Sequence, residues 1–279
     1  MGSVLHRLLS ACLLCLCIVQ PAYADHDDGD THLQRLDTGD DSRQWEGVGR
    51  IDIGERGFCT GALIAPDIVL TAAHCLYDGD TGQEVDISTL EFLAGWRNGR
   101  ASAYRWVRRA VIHPHYEFST KLEAQRVRND VALLELHQPI AKSRVVPFTT
   151  DSRPAKGEEL RLVSYARSRS EAPSLQEACS VLAQQEGVLV MSCDVDYGAS
   201  GAPVFSFKDG TPRVVSVVSA MAEMDGHKVS LGTQLEEPLR LMRAMLESGG
   251  RFKSRKDPDL FSGAQRRDTG AKFVKTGRQ

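Results

Sequence analysis

Three stretches of this chain carry side chains that could do chemistry together. Gly198-Ala199-Ser200-Gly201-Ala202-Pro203 offers a hydroxyl on a glycine-framed turn. Val69-Leu70-Thr71-Ala72-Ala73-His74-Cys75 offers an imidazole, and Asn129-Asp130-Val131-Ala132-Leu133-Leu134 offers a carboxylate. A serine hydroxyl is a weak nucleophile at neutral pH. It needs a base within hydrogen-bond reach, and the base needs an acceptor that holds its tautomer. His74, Asp130 and Ser200 supply these three functions, in that chain order. Each alone reads as structure: a packed histidine, a strand-start aspartate, a loop serine. The three contexts together are what point to nucleophilic catalysis. His113, His115, His137 and His227 lack such contexts and read as surface or packing residues. No His/Cys/carboxylate cluster has metal-ligand spacing, so neither a metal nor a cofactor is expected.

Groups so far apart in sequence must be brought together by a rigid frame, and the intervening pattern is β-rich. Gly49 to Ile53, Phe58 to Ile64, Ile68 to Ala72, Leu90 to Ala94, Tyr104 to Val111 and Val131 to Leu136 form a first set of short strand-like runs. Leu160 to Tyr165, Ala178 to Ala183, Val188 to Cys193, Pro203 to Phe207, Val214 to Ala220 and Val229 to Gln234 form a second. Lys208-Asp209-Gly210-Thr211 is a hairpin signal within that set. Many short strands with little helical periodicity indicate an all-β protein of barrels or sandwiches. One amphipathic helix is expected at Leu235 to Leu246, with Glu236 and Glu237 in the first turn, where carboxylates suit the helix dipole.

The ends differ from the middle. Residues 1–24 read as a secretory signal peptide: His6 and Arg7, an apolar run from Leu8 to Val19 too short to span a bilayer, and the cleavage site Ala22-Tyr23-Ala24. Residues 25–47 are acidic and 247–279 are basic; both read as solvated tails poor in apolar residues. The net charge of −3 suggests no nucleic-acid partner, and no later run is apolar enough to cross a membrane. Of seven cysteines, Cys12, Cys15 and Cys17 leave with the signal. Cys59, Cys75, Cys179 and Cys193 remain, an even number suited to an oxidising compartment, and spacing alone allows three pairings.

The three reactive stretches, with His113-Pro114-His115-Tyr116 upstream of Asp130, resemble the trypsin/chymotrypsin-like serine peptidases. The Gly-x-Ser-Gly-x-Pro form resembles their secreted bacterial branch, over roughly residues 48 to 246. The resemblance implies two six-stranded antiparallel β-barrels, about 48–142 and 143–246, followed by a C-terminal helix. It implies that Ser200 attacks a scissile carbonyl, that His74 is the base, that Asp130 orients it, and that the Gly198 and Ser200 amides form the oxyanion hole. It implies the disulfide Cys59–Cys75, which leaves Cys179–Cys193. The expected partner is a protein or peptide substrate, and a monomer is favoured.

The chain also departs from the animal members. There an aspartate before the nucleophile is paired by an amino group freed when the zymogen is clipped; here the position is Ala199. The nearest stretch to their clip site is Val48-Gly49-Arg50-Ile51, so that activation device is expected to be absent. Asp194, six residues before Ser200, resembles the acid that attracts Arg or Lys at P1. The substrate-facing strand is read as Val217-Val218-Ser219-Ala220-Met221, with Met221 where a glycine usually keeps the pocket open. The expected function is thus a secreted or periplasmic serine endopeptidase. The alternative from another class is a catalytically weak barrel serving as a binding module, its access blocked by Met221 or the tails. An esterase or acyltransferase using the same triad is a third reading, without an acyl-acceptor motif in its favour.

Overall fold

The computed structural model describes residues 33–151, 154–248 and the backbone of 253–254. The expected signal peptide, the first part of the acidic segment and most of the basic tail lie outside the described residues. In chain order the elements are β1 (Leu33–Arg35), α1 (Gly39–Ser42), β2 (Val48–Ile53), β3 (Phe58–Ala65), β4 (Ile68–Thr71), β5 (Leu90–Ala94), β6 (Ala103–Ile112), α2 (Ala124–Arg128) and β7 (Ala132–Leu136). There follow β8 (Thr149–Thr150), β9 (Glu159–Ala166), β10 (Arg169–Gln185), β11 (Val188–Met191), β12 (Pro203–Ser206), β13 (Arg213–Met224), β14 (His227–Gln234), α3 (Glu236–Glu247) and β15 (Lys253–Ser254).

The strands close into two six-stranded antiparallel β-barrels. In the first the order is β6-β5-β2-β3-β4-β7, and β6 pairs with β7 to close it. In the second it is β10-β11-β14-β13-β12-β9, closed by β10 with β9. Closure leaves no bare edge along the six-strand circuit. The apolar run at the end of the first barrel shows why these sequences become strands. Ala132, Leu134 and Leu136 point into the first barrel, while Val131 and Leu133 point into a core shared with Val163, Tyr165, Phe205 and Val217 of the second. Both faces of β7 are buried, so its sequence is continuously apolar rather than alternating. Leu239 and Met242 of α3 close the same shared core.

Two expectations about the ends are corrected. Residues 33–47 are not a solvated tail. Leu33–Arg35 pairs antiparallel with Gln176, Leu175 and Ser174 of β10. Leu36 and Trp45 are buried in the shared core, and the Trp45 ring lies 5.0 Å from Phe205. Acidic composition concealed these two large apolar anchors; burying each offsets the cost of ordering its neighbours by roughly 1.5–3 kcal/mol. At the other end, Lys253–Ser254 adds a short strand to β6 instead of standing free. Strand β10 is also far longer than expected, because Arg169 to Gln176 extends it ahead of the apolar part. Among the described residues no helix is long and apolar enough to cross a membrane.

Candidate active site

The first barrel supplies His74 and Asp130. His74 lies in the short 3-10 turn Ala73–Leu76 that follows β4. Thr71, Ala73 and Cys75 around it are buried, and Cys75 is joined to Cys59 of β3. Asp130 lies between α2 and β7; its amide donates to Val127 O at 3.1 Å. The side chain is 0% exposed. A carboxylate so placed is costly unless every lone pair finds a donor. Three donors are present: the His74 amide to Oδ1 at 2.8 Å, His74 Nδ1 to Oδ2 at 2.7 Å, and Ser219 Oγ to Oδ2 at 2.5 Å. Burial alone would raise the Asp130 pKa. The His74 charge and the bonds from His74 and Ser219 outweigh it and hold the carboxyl below the usual carboxylate range. An ionised carboxylate only accepts, so the proton sits on His74 Nδ1 and leaves the Nε2 lone pair free to act as a base.

The second barrel supplies Ser200, the expected nucleophile, on the turn between β11 and β12. Gly198 has φ +101° and Gly201 φ +75°, a region that side chains seldom adopt. A Cβ on Gly201 would come 2.1 Å from Thr71 Oγ1 and 2.5 Å from Thr60 O, so this glycine lets the two barrels touch beside Ser200. Thr60 N donates to Ser200 O at 2.9 Å, and Thr60 Oγ1 donates to Gly198 O at 2.9 Å. The Ala199 amide closes a turn onto Asp196 O at 2.9 Å. The amides of Gly198 and Ser200, by contrast, bond to no other described residue. His74 and Asp130 are hydrogen-bonded to each other; among the described residues Ser200 Oγ makes no hydrogen bond to His74.

The specificity residues fall out differently. Ser219 is buried at a bulge in β13, and its hydroxyl donates to Asp130 Oδ2. Met221 is 44% exposed at the end of the same stretch. The Asp194 amide donates to Gln176 Oε1 of β10 at 2.8 Å, and its carboxylate shares its surroundings with the guanidinium of Arg169. Burial lowers the Arg169 pKa, while the negative charges of Asp194 and Asp196 act against that shift. Sequence reasoning missed both Ser219 as a partner of Asp130 and Arg169 as a neighbour of Asp194. The first left a signal, a lone hydroxyl in the valine-rich strand Val217-Val218-Ser219, where a buried polar group must find a partner. The second left none.

The cysteines are joined as Cys59–Cys75 and Cys179–Cys193. Cys59, His74 and Cys75 bring potential ligand atoms within 4.8 Å of one another. Both sulfurs are committed to the disulfide, and metal ligation needs thiolates, so the cluster does not suit a cation.

The trypsin family profile matches residues 38–233, well over half of the chain. Serine protease 23 of Mus musculus is 28% identical over 163 residues, covering 53% of this chain and 42% of that protein. Trypsin of Phaedon cochleariae is 36% identical over 100 residues, or 36% of this chain and 33% of that one. A glutamyl endopeptidase of Bacillus licheniformis is 26% identical over 152 residues, or 53% and 45% of the two chains. The chain therefore spans less than half the length of these curated relatives. A solved glutamate endopeptidase in complex with MPD superposes with a TM-score of 0.60 at 16% identity, over 76% of this chain and 96% of that one, a likeness of fold. With two closed barrels and a family match over most of its length, the chain belongs to the trypsin family of chymotrypsin-like serine proteases.

Proposed function

We propose that the chain is a serine endopeptidase of the secreted bacterial branch, acting through His74, Asp130 and Ser200. The buried and fully donated Asp130 carries this reading. A carboxylate enclosed at such cost and aimed at His74 Nδ1 has an evident use in orienting a base. Ser200 Oγ attacks the scissile carbonyl while His74 Nε2 takes its proton. The Gly198 and Ser200 amides receive the oxyanion. His74 then protonates the leaving amine, and a water activated by the same imidazole hydrolyses the acyl-enzyme. These groups form a self-sufficient set.

At P1, Asp194 draws Arg or Lys, in competition with the internal cation Arg169. The preference is therefore shallow. The Ala22-Tyr23-Ala24 site and the two disulfides support release of a mature chain from about Asp25 into the periplasm or medium. Mass-spectrometric profiling of a peptide library tests the function. Discrete internal cleavages, absent from Ser200→Ala, are expected; an uncut library would favour the binding-module reading, for which exposed Met221 is the motivating feature.

A further inference from the structure

Strand β13 runs beside the Ser200 turn and continues past its apolar part to Met224, returning as β14 through Asp225-Gly226. Both turn residues have positive φ, +53° and +79°, and Met224 pairs with His227. That is a two-residue type I′ hairpin. The residues flanking such a turn exchange both main-chain hydrogen bonds, and bonded and non-bonded pairs then alternate along the strands. Met224, Ala222 and Ala220 therefore turn their amides and carbonyls towards His227, Val229 and Leu231 of β14. Met221 and Glu223, which lie between them, turn theirs to the opposite edge.

That edge faces the Ser200 turn, as Val218 shows. The Val218 amide donates to Ala202 O at 3.0 Å, and its carbonyl accepts the Gly201 amide at 2.8 Å. Strand β12 pairs with β13 only as far as Val217. Beyond Val218 no strand among the described residues covers this edge. Met221 is 44% exposed, and Glu223 is exposed as well. An uncovered edge is a template for one more strand.

We propose that the outer part of this edge is a distal substrate subsite, in which the fifth residue before the scissile bond pairs with Glu223 as part of an added antiparallel strand. The inference rests on the peptidase reading above. Val218 is held against Gly201 and Ala202, so the substrate residue at Ser200 lies beside Ser219. Counting outwards, P3 meets Met221 and P5 meets Glu223. The Glu223 amide donates to the P5 carbonyl, and the Glu223 carbonyl accepts the P5 amide. P4, opposite Ala222, turns its amide away from β13. The substrate class follows from this pairing. It is an extended polypeptide segment with at least five residues before the bond, not paired with its own chain. Proline is excluded at P5, where an amide is needed, and admitted at P4.

The test uses mature protein beginning at Asp25 and acetylated peptides with three, five or six residues before one scissile bond, the P1 residue being taken from the library profile. Lengthening from three to five residues should raise kcat/KM about tenfold, the worth of two hydrogen bonds. A sixth residue should change it by less than about twofold. Replacing the P5 amide by an ester, which removes its N–H, should cost about threefold to fivefold; the same replacement at P4 should cost less than about twofold. On the protein side, Glu223→Pro removes the amide that meets P5 and should shrink the gain from length, whereas Glu223→Ala keeps the amide and the gain. Equal kcat/KM for three and five residues, or an ester at P5 no more costly than one at P4, would overturn the proposal, and neither result depends on a variant folding. Failure to cut peptides of every length, or cutting that survives Ser200→Ala, would instead overturn the peptidase reading and this inference with it.

Discussion

Two aspartates flank the expected chemistry, and their surroundings differ in kind. Asp130 is wholly enclosed, with three donors on its carboxylate: the His74 amide, the His74 ring and the Ser219 hydroxyl. Asp194 is half-buried, its amide held by Gln176, with its carboxylate near an internal cation. The first environment builds a fixed negative charge that faces one imidazole. The second leaves the carboxylate half-buried, with its backbone held from β10 and an arginine charge in its surroundings. A residue type at a familiar spacing does not reveal which of these it will be; the charges brought to it by the fold decide.

The sharpest way to break this contrast is to neutralise Asp130. Asp130→Asn should lower kcat by on the order of 10⁴ through loss of the productive His74 tautomer, with the barrels intact. A loss of less than about tenfold in steady-state peptide hydrolysis would mean that Asp130 is only a structural anchor.

Each region also has its own disulfide. Cys59–Cys75 fastens the His74 turn across a separation of 16 residues, and Cys179–Cys193 fastens the Asp194 segment across 14. Opening either by a double Cys→Ala change should cost about 3 kcal/mol by loop entropy, read by urea unfolding. Activity should respond more at the first pair, beside the base.

The Asp130 side should show an acid limb of its own. His113, 6% exposed, donates its amide to Val131 O, and among the described residues its Nδ1 meets no hydrogen-bond partner. Burial and the neighbouring His115 lower its pKa to about 4, with Glu237 opposing. The unfolded chain takes up this proton near an ordinary value of about 6.5, before the folded one does. Stability should therefore be full above about pH 6.5 and decline towards pH 4, by up to about 3 kcal/mol. Below that window Asp130 adds a further loss, because its folded pKa lies under the unfolded value. His113→Phe should flatten the decline between pH 6.5 and 4 in thermal unfolding, and an unaltered slope would assign it elsewhere.

Ser219→Ala should cost about 1.5–3 kcal/mol, the worth of a hydrogen bond to a charged group, and slow catalysis modestly. The smallest effect belongs to Asp194. Asp194→Ser should reduce cleavage after Arg and Lys by only about fivefold, near 1 kcal/mol, with apolar P1 residues spared. An unchanged P1 profile would make Asp194 a turn residue alone.

What was legible in the sequence, and what was not, follows the same physics. The barrel strands carry apolar periodicity that burial imposes, so β2 to β7, β11, β12 and β14 could be read within a residue or two, and α3 likewise, whereas β13 runs four residues past its apolar part to Met224. The stretches holding His74, Asp130 and Ser200 are recognisable because tight turns and close approaches restrict their neighbours, as at Gly201. The ordered part of the acidic segment was hidden because two residues, Leu36 and Trp45, do its anchoring among many charges. The first half of β10, Arg-Ser-Glu-Ala-Pro-Ser-Leu-Gln, lacks a strand signature because its buried positions are mostly small or polar, with Leu175 alone reaching the shared core and Gln176 buried to hold the Asp194 amide. Arg169 belongs to that stretch, and a charge placed against another by tertiary structure leaves no local mark.

The central claim is that Ser200 is an activated nucleophile in the unclipped chain. The direct measurement is labelling with a fluorophosphonate of protein beginning at Asp25 and carrying Arg50→Gln, with the modified residue located by peptide mapping. The account predicts one label, on Ser200, abolished by His74→Ala and requiring no prior cleavage. Labelling that appears only in unmutated protein after a cut between Arg50 and Ile51, or never appears, would contradict it.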